Sequence, residues 1–263
     1  MTNQAIATDI RRSILHMMHA SKSSHIGSCF SLIEILVALY FNSLNIDPNE
    51  PQKWDRDTVI LSKAHASAAL YATLAHRGFF PCSYLERYYI DGGLLPGHLD
   101  KTCVPGIETS GGSLGHGLSL GIGMAMAHRL DQNSGKIFVI LGDGECNEGS
   151  VWEAIMLAST LKLATVTAIV DYNKIQSFGR TNEIINQTNI AQRWESFGWE
   201  VYEANGHSIP ELIGFFDKPQ QGPKVIIAHT VKGKGVSFME DNLAWHYKSP
   251  NDAQLAQALK ELE

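Results

Sequence analysis

Apolar positions along residues 6–20, IATDIRRSILHMMHA, return every three or four residues, which predicts a helix with one buried face. Polar SKSSHIGS at 21–28 predicts a loop, and SLIEILVALYFNSL at 31–44 predicts an apolar helix opened by a serine. DTVILS at 57–62 is short, apolar and β-branched, the pattern of a buried strand. Helical spacing follows at 64–77 and 83–90. Residues 91–115 are rich in Gly and Pro and form a loop, of a length usually kept for function. A helix over 116–130, the strand KIFVIL, a helix over 149–161 and the strand ATVTAIVD come next. After a loop at 172–187 the pattern gives a helix over 188–197, the strand WEVYEA, a helix over 209–217 and the strand KVIIAHT. Residues 231–250 show no period, and 251–262 predict a closing helix.

Strands alternate with helices, and the strand runs are almost wholly apolar. The fold class is therefore α/β, with a mostly parallel central sheet covered by helices on both faces. Ligands of such sheets sit beyond the carboxyl ends of the strands. The loops at 91–115, 142–148 and 172–187 are placed to reach that rim.

Composition narrows the function classes. The chain has 263 residues, 44% hydrophobic and 18% charged, enough for a large core without staples. Its net charge is −6 and no Lys/Arg cluster stands out, so no nucleic-acid partner is expected. Cys29, Cys82, Cys103 and Cys146 are scattered, which fits a reducing compartment. The first twenty residues hold no apolar signal region, and no stretch approaches the ~20 apolar residues of a membrane span. The expectation is a soluble cytoplasmic protein without membrane attachment.

ILGDGECNEGSVWEA at 140–154 crowds Asp143, Glu145 and Glu148 beside two glycines, at a strand end and a helix start. A helix start favours an anion by only about 0.3–1 kcal/mol. Two like charges 4 Å apart cost about 4 kcal/mol at an effective dielectric of 20. An anionic ligand is repelled here unless a divalent cation lies between it and Asp143. The next apolar strand ends in DYN, so Asn173 can converge with Asp143 if the two strands are neighbours. A carboxylate, an amide oxygen and backbone carbonyls are hard ligands suited to Mg²⁺ or Ca²⁺. The alternative is a solvated acidic helix start. A dinucleotide turn fits less well, because GDGECN lacks the third glycine of G-x-G-x-x-G.

G-D-G at 142–144, followed about thirty residues later by an Asn after an apolar strand, resembles the thiamine diphosphate motif. SSHIGS, LSKAHASAALYA, GGLLPGHLD, ETSGGSLGHGLSLGIGMA, GDGECNEGSVWEA and TVKGKGVSFME…AWH are similar, in order, to the diphosphate-binding half of transketolase. The resemblance implies a thiamine diphosphate-binding fold and a transferase that moves a two-carbon ketol unit from a ketose phosphate to an aldose or aldose phosphate. It implies Asp143, Asn173 and the backbone carbonyl of Ile175 as Mg²⁺ ligands, with Ca²⁺ or Mn²⁺ as substitutes. It sets Gly144 and Glu148 at the cofactor and Gly112, Ser113 and Leu114 along its thiazolium and diphosphate side. His65 and His246 contact the diphosphate region, and His25 and His98 face the reacting carbons. Imidazoles titrate near neutrality and suit the proton transfers of such a reaction.

His16 and His19 are read as a solvated helix face, and His76, His128 and His207 as structural; His229 is undecided. KGKG at 232–235 is read either as a phosphate contact or as a flexible basic loop. Ser113, His116, Tyr172 and Tyr247 depart from the family pattern, where Pro, Gln, a second polar residue and Gly are common.

The resemblance covers residues 1–263 as a single diphosphate-binding domain. The family's pyrimidine-binding and C-terminal domains, with the glutamate that activates the aminopyrimidine, have no counterpart here. They are expected on a separately encoded C-terminal subunit, in an α₂β₂ heterotetramer acting on sugar phosphates. Other readings are a subunit like deoxyxylulose phosphate synthase or a 2-oxo acid dehydrogenase α chain, and a transketolase for an unusual apiose-derived sugar phosphate. A non-catalytic subunit that kept the fold is a further rival. GGSLG at 111–115 matches the serine hydrolase G-x-S-x-G, but no strand pattern precedes it.

Overall fold

The computed structural model describes residues 1–263. β1 (Thr58–Leu61), β2 (Ile137–Gly142), β3 (Val166–Tyr172), β6 (Glu200–Asn205) and β7 (Lys224–His229) form one sheet in the order β1-β2-β3-β7-β6. Every pairing in it is parallel. The tiny hairpin of β4 (Ile175–Gln176) and β5 (Gly179–Arg180) lies apart and is antiparallel, and the single turn α7 (Thr181–Ile184) follows it. The chain steps from β1 to β3 in order, then places β6 at the edge and returns with β7 beside β3. That reversal opens a crevice at the carboxyl ends. The register puts Gly142, Asp171 and Ala228 on one level there.

Both faces of the sheet are apolar because successive strand residues point to opposite sides. Leu61, Phe138, Ile140, Ile169 and Ile226 join a core with Ile14 of α1 (Asn3–Ser21), Leu36 of α3 (Ile33–Ala38), Leu70 of α4 (Ser67–Arg77) and Leu212 of α9 (Ile209–Phe216). Ile60, Val139, Leu141, Val170 and Ile227 join a second core. It is completed by Ile122 of α5 (Gly117–Leu130), Ile155 of α6 (Gly149–Thr160) and Trp194 of α8 (Ile190–Ser196). All four cysteines are free thiols. α10 (Asp252–Glu261) closes the chain behind an Asn251–Gln254 capping box.

Four expectations change. The predicted loop at 21–28 ends in a short helix, α2 (Ile26–Phe30), and the apolar run at 31–44 is α3 followed by one wide π turn over Leu39–Ser43. Leu32, at φ −109° and ψ 7°, leaves helical geometry between α2 and α3. Residues 26–43 also form an 18-residue window of mean hydropathy 1.5, long and apolar enough to cross a membrane, contrary to the expectation that no stretch is. Here 83% of the window is buried within the fold, mainly in the first core, and its apolarity answers to that burial. Finally, 83–90 holds only a 3₁₀ segment, Cys82–Arg87, and Tyr89 at φ 50° ends any helical path.

Residues 231–246 form an irregular strap ordered by backbone contacts. Gly233 N–H donates to Gly27 O (3.0 Å), and Asp241 N–H to Lys232 O (2.9 Å). A 3₁₀ turn, Leu243–His246, follows.

Trp194 is fully buried against Trp199, with ring centroids 4.8 Å apart. Trp194→Ala is expected to cost about 3–5 kcal/mol, through lost burial and the cavity left behind, read from denaturant unfolding.

Candidate active site

Four carboxyl-end segments bring the site together. Ser62 and Lys63 follow β1, Asp143 follows β2, Asp171 and Asn173 close β3, and Thr230 and Lys232 follow β7. Asp143, Asn173 and Lys232 line a cleft of about 340 Å³, and the other residues lie buried at the strand ends beneath it. Its walls hold His25, His65, His98 and His246 beside Gly112, Leu114, Asp143, Gly144, Glu148, Asn173 and Ile175. The structure therefore gathers nearly all the residues singled out from the sequence. The exception is Ser113, which is exposed and lines a neighbouring cleft with Ser62, Gly111 and His116. The backbone around it is irregular, with no strand leading into it as a hydrolase elbow requires.

The three carboxylates of the acidic turn have three environments. Glu145 is turned inward, accepting from Ser62 Oγ, Gly115 N–H (2.9 Å) and Gly142 N–H (3.0 Å), so it ties three loops together. Glu148 is exposed at the start of α6 and lines the cleft. Asp143 is buried and accepts from Gly144 N–H (2.7 Å), Lys174 N–H (2.6 Å) and Thr181 Oγ (3.0 Å). Burial raises its carboxyl pKa and Asp171 adds to the rise, against the three donors. No basic side chain of the chain pairs with Asp143.

Asp171 contrasts with it. This carboxylate is fully buried, pairs with Lys63, and accepts from Ser31 Oγ (2.6 Å), Thr230 Oγ and Asn173 Nδ2 (3.1 Å). Burial alone would raise its pKa, but Lys63 and the hydroxyls pull it below the usual carboxylate range. Asp171 thus fixes the amide of Asn173, whose Oδ1 accepts from Ile175 N–H (3.2 Å).

Lys232 reaches the same floor with its stem buried. Its Nζ donates to Ile175 O (2.9 Å) and lies 2.7 Å from His246 Nδ1. Burial first, then Lys63, lowers it to about 7. Within KGKG, Lys232 is a buried part of the cleft lining and not an exposed basic loop.

The imidazoles form one wall. His25 lies 5.2 Å from His65, 6.3 Å from His98 and 5.1 Å from His246, between ring centroids. His25 has φ 79°, a left-handed backbone rare for residues with a side chain. Its N–H donates to His246 O (2.9 Å). Burial lowers His25 to about 4, with His98, Lys232 and Lys63 adding to the effect. Burial and Lys232 lower His246 to about 3, and burial with Lys63 takes His65 well below its ordinary value. All three are neutral at pH 7. Of the histidines left outside the site, His16 is exposed and His19 meets Asp252 (2.8 Å). His229 meets Glu203 on the surface (2.7 Å).

No group of three or more His, Cys, Asp or Glu side chains is arranged to hold a metal. The donor set in the cleft is of another kind: one carboxylate without a counter-cation, one amide oxygen and one backbone carbonyl. Buried charges are paired or bind metals, and this donor set suits a hard divalent cation. Gly144 permits close backbone approach, since a Cβ there would lie 2.8 Å from Gln176 Cβ. Gln176 Nε2 is buried at the cleft without a hydrogen-bond partner, a donor left for a ligand. The residues present fit a divalent cation carrying a diphosphate.

Lys63, Asp171 and Gln176 were not among the residues singled out from the sequence, and Lys232 was marked only as part of KGKG. Lys63, directly after β1, and Lys232, in KGKG after β7, carried a usable signal as cations at strand ends. Asp171, inside an apolar run, carried one only as an anomaly.

Fold and cleft place the chain among α/β domains that receive an anionic ligand at the carboxyl edge of a parallel sheet. A family model described as "Transketolase, thiamine diphosphate binding domain" matches residues 2–262, and the chain belongs to that family. It is 39% identical over 255 residues to one of the apulose-4-phosphate transketolase subunits, that of Phocaeicola vulgatus, covering 96% of this chain and 90% of that one. It is 40% identical over 260 residues to the 6-deoxy-6-sulfo-D-fructose transketolase subunit SqwG of a Clostridium species, covering 98% and 94%. Against human transketolase the identity is 36% over 261 residues, 97% of this chain but 41% of that protein. The crystal structure of Campylobacter jejuni transketolase superposes with a TM-score of 0.93 at 29% identity, over all of this chain and 43% of that one. The chain thus spans less than half of these longer transketolases and nearly all of the relatives named as subunits.

The lowered imidazoles give stability a pH dependence. An unfolded His titrates near 6.5, so below that pH the unfolded chain binds more protons than the folded one. Stability is full above about pH 6.5 and falls as pH drops toward the folded value of about 4 for His25. His25→Asn, which tolerates the left-handed backbone, is expected to flatten this part of a plot of Tm against pH.

Proposed function

We propose that this chain is the thiamine diphosphate-binding subunit of a two-subunit, magnesium-dependent transketolase. The observation that carries the reading is the convergence of Asp143, Asn173 and Ile175 O with four imidazoles in one open cleft. When bound, thiamine diphosphate supplies a nucleophilic thiazolium carbon and an electron sink for carbon–carbon cleavage. Asp143, Asn173 and the Ile175 carbonyl, which also accepts from Lys232 Nζ, would hold Mg²⁺. Lys232, Gln176 and the backbone at Gly144 are the donors on hand for phosphate oxygens. An imidazole lowered to about 4 is a weak base, and Lys232 is part of the cause. With Lys232 paired to an anion, its lowering effect on His25 and His246 would be weakened, and their pKa values would rise toward the ordinary imidazole range. His25 and His98 then exchange protons with the sugar's hydroxyl and carbonyl oxygens.

The partner subunit supplies the pyrimidine-binding half and most contacts to the sugar phosphate. The surface is consistent with one. α5 and α6, which begin beside the cleft, leave Leu120, Met126, Leu130, Met156 and Leu157 exposed. A helix apolar on nearly all sides is normally buried, and Leu120, on the first turn of α5, lines the groove beside Ser113. We propose an α₂β₂ assembly in the cytoplasm. The substrates are sugar phosphates. The two relatives named as subunits carry the names of apulose 4-phosphate and 6-deoxy-6-sulfo-D-fructose, so an unusual ketose is included.

Two outcomes test the reading. The purified chain alone is expected to show no ketol transfer, and transfer is expected on adding the partner subunit; robust turnover by the chain alone refutes the two-subunit assembly. In the assembled pair, Asp143→Asn is expected to abolish Mg²⁺-dependent thiamine diphosphate binding measured by calorimetry. Unchanged binding removes Asp143 from the cation site.

A further inference from the structure

A buried polar relay outside the cleft ends on the strap that carries Lys232. Arg11 grips both oxygens of Glu34 at 2.6 and 2.8 Å, each side chain almost wholly buried. His207 Nδ1 lies 2.9 Å from Glu34 Oε2, and His207 Nε2 lies 2.8 Å from Val231 N. A backbone N–H can only donate, so Nε2 is the acceptor and Nδ1 carries the proton toward Glu34. Arg11 Nε donates to Lys234 O (2.9 Å). The relay therefore holds the strap at Val231 and Lys234, on either side of Lys232. Between those points Gly233 N–H bonds Gly27 O, and the Lys232 stem runs so close to Gly27 that a Cβ there would lie 3.1 Å from Lys232 Cγ. The lysine has one way to go, toward Ile175 O and His246.

Burying an ion pair is costly, and its stabilising value against an apolar packing is small or negative. A pair kept here, with an imidazole attached to a backbone amide one residue from a cleft lysine, has a role in placement. We propose that His207, oriented by Glu34 and Arg11, is a positioning residue that sets the place of Lys232 in the cofactor cleft. The inference rests on the proposed diphosphate site, and it adds a remote determinant of its affinity.

A double-mutant cycle tests it, with thiamine diphosphate and Mg²⁺ titrated calorimetrically into the chain assembled with its partner subunit. His207→Asn keeps a donor near Glu34 but loses the acceptor for Val231. It is expected to weaken cofactor binding about fivefold to tenfold, the worth of one buried hydrogen bond. In a Lys232→Met background the same change is expected to have almost no effect, because the residue it positions is gone. His207→Gln, whose amide oxygen reaches the Nε2 position, is expected to retain most of the affinity. Amide exchange at Val231 gives a readout without cofactor: faster in His207→Asn, protected in His207→Gln.

Equal losses in both backgrounds, or unchanged Val231 exchange in His207→Asn, overturn the positioning role. Should His207→Asn not fold, His207→Phe fills similar volume without an acceptor and takes its place in the cycle. If Lys232→Met leaves cofactor affinity unchanged, the diphosphate reading of Lys232 fails, and the inference with it. If Lys232→Met weakens binding while His207→Asn does not, only the inference fails.

Discussion

A buried carboxylate with no cation of its own is the constraint around which this site is arranged. Asp143 sits at the end of β2 with three hydrogen-bond donors and no basic partner. Hydrogen bonds offset part of the cost of burying the charge, while burial and the neighbouring Asp171 push its pKa up. Asp171, at the neighbouring strand end, has the lysine that Asp143 lacks. Two nearby carboxylates thus differ in setting: one is paired with a lysine of the chain, and the other has no cation of the chain beside it. The first also orients the amide of Asn173.

The strands, the order of strand and helix, and the G-D-G turn were legible because each is local. A buried parallel strand is an apolar run, and a tight turn at its end needs glycine. Asn173 was legible for a similar reason, as a polar side chain just beyond an apolar run. Lys63 and Lys232 become part of the site only once the sheet order β1-β2-β3-β7-β6 sets their strand ends around one crevice, and no spacing in the chain encodes that order. Asp171 was hidden by its own burial, an acid inside a strand whose partners come mostly from distant segments. Ser113 shows how the sequence does not tell which side of a loop a residue lines. Its neighbours Gly112 and Leu114 line the cleft, while Ser113 faces the groove on the other side of the loop.

The long apolar run near the N-terminus shows why composition alone misleads on membranes. Residues 26–43 carry the hydropathy of a span, yet they are cut by Leu32 and by the π turn, and their side chains fill the first core. Tertiary burial and bilayer burial ask for the same residues. What separates them here is that the helical pieces are short and the core around them is continuous.

His25 and His246 are joined by one main-chain hydrogen bond, from the amide of the first to the carbonyl of the second. The distance between these two positions is therefore inherited from the peptide backbone and owes nothing to either ring. Evolution can exchange one imidazole for another group and leave its neighbour where it stands. The wall behaves as a frame whose spacing is fixed before any side chain is placed on it.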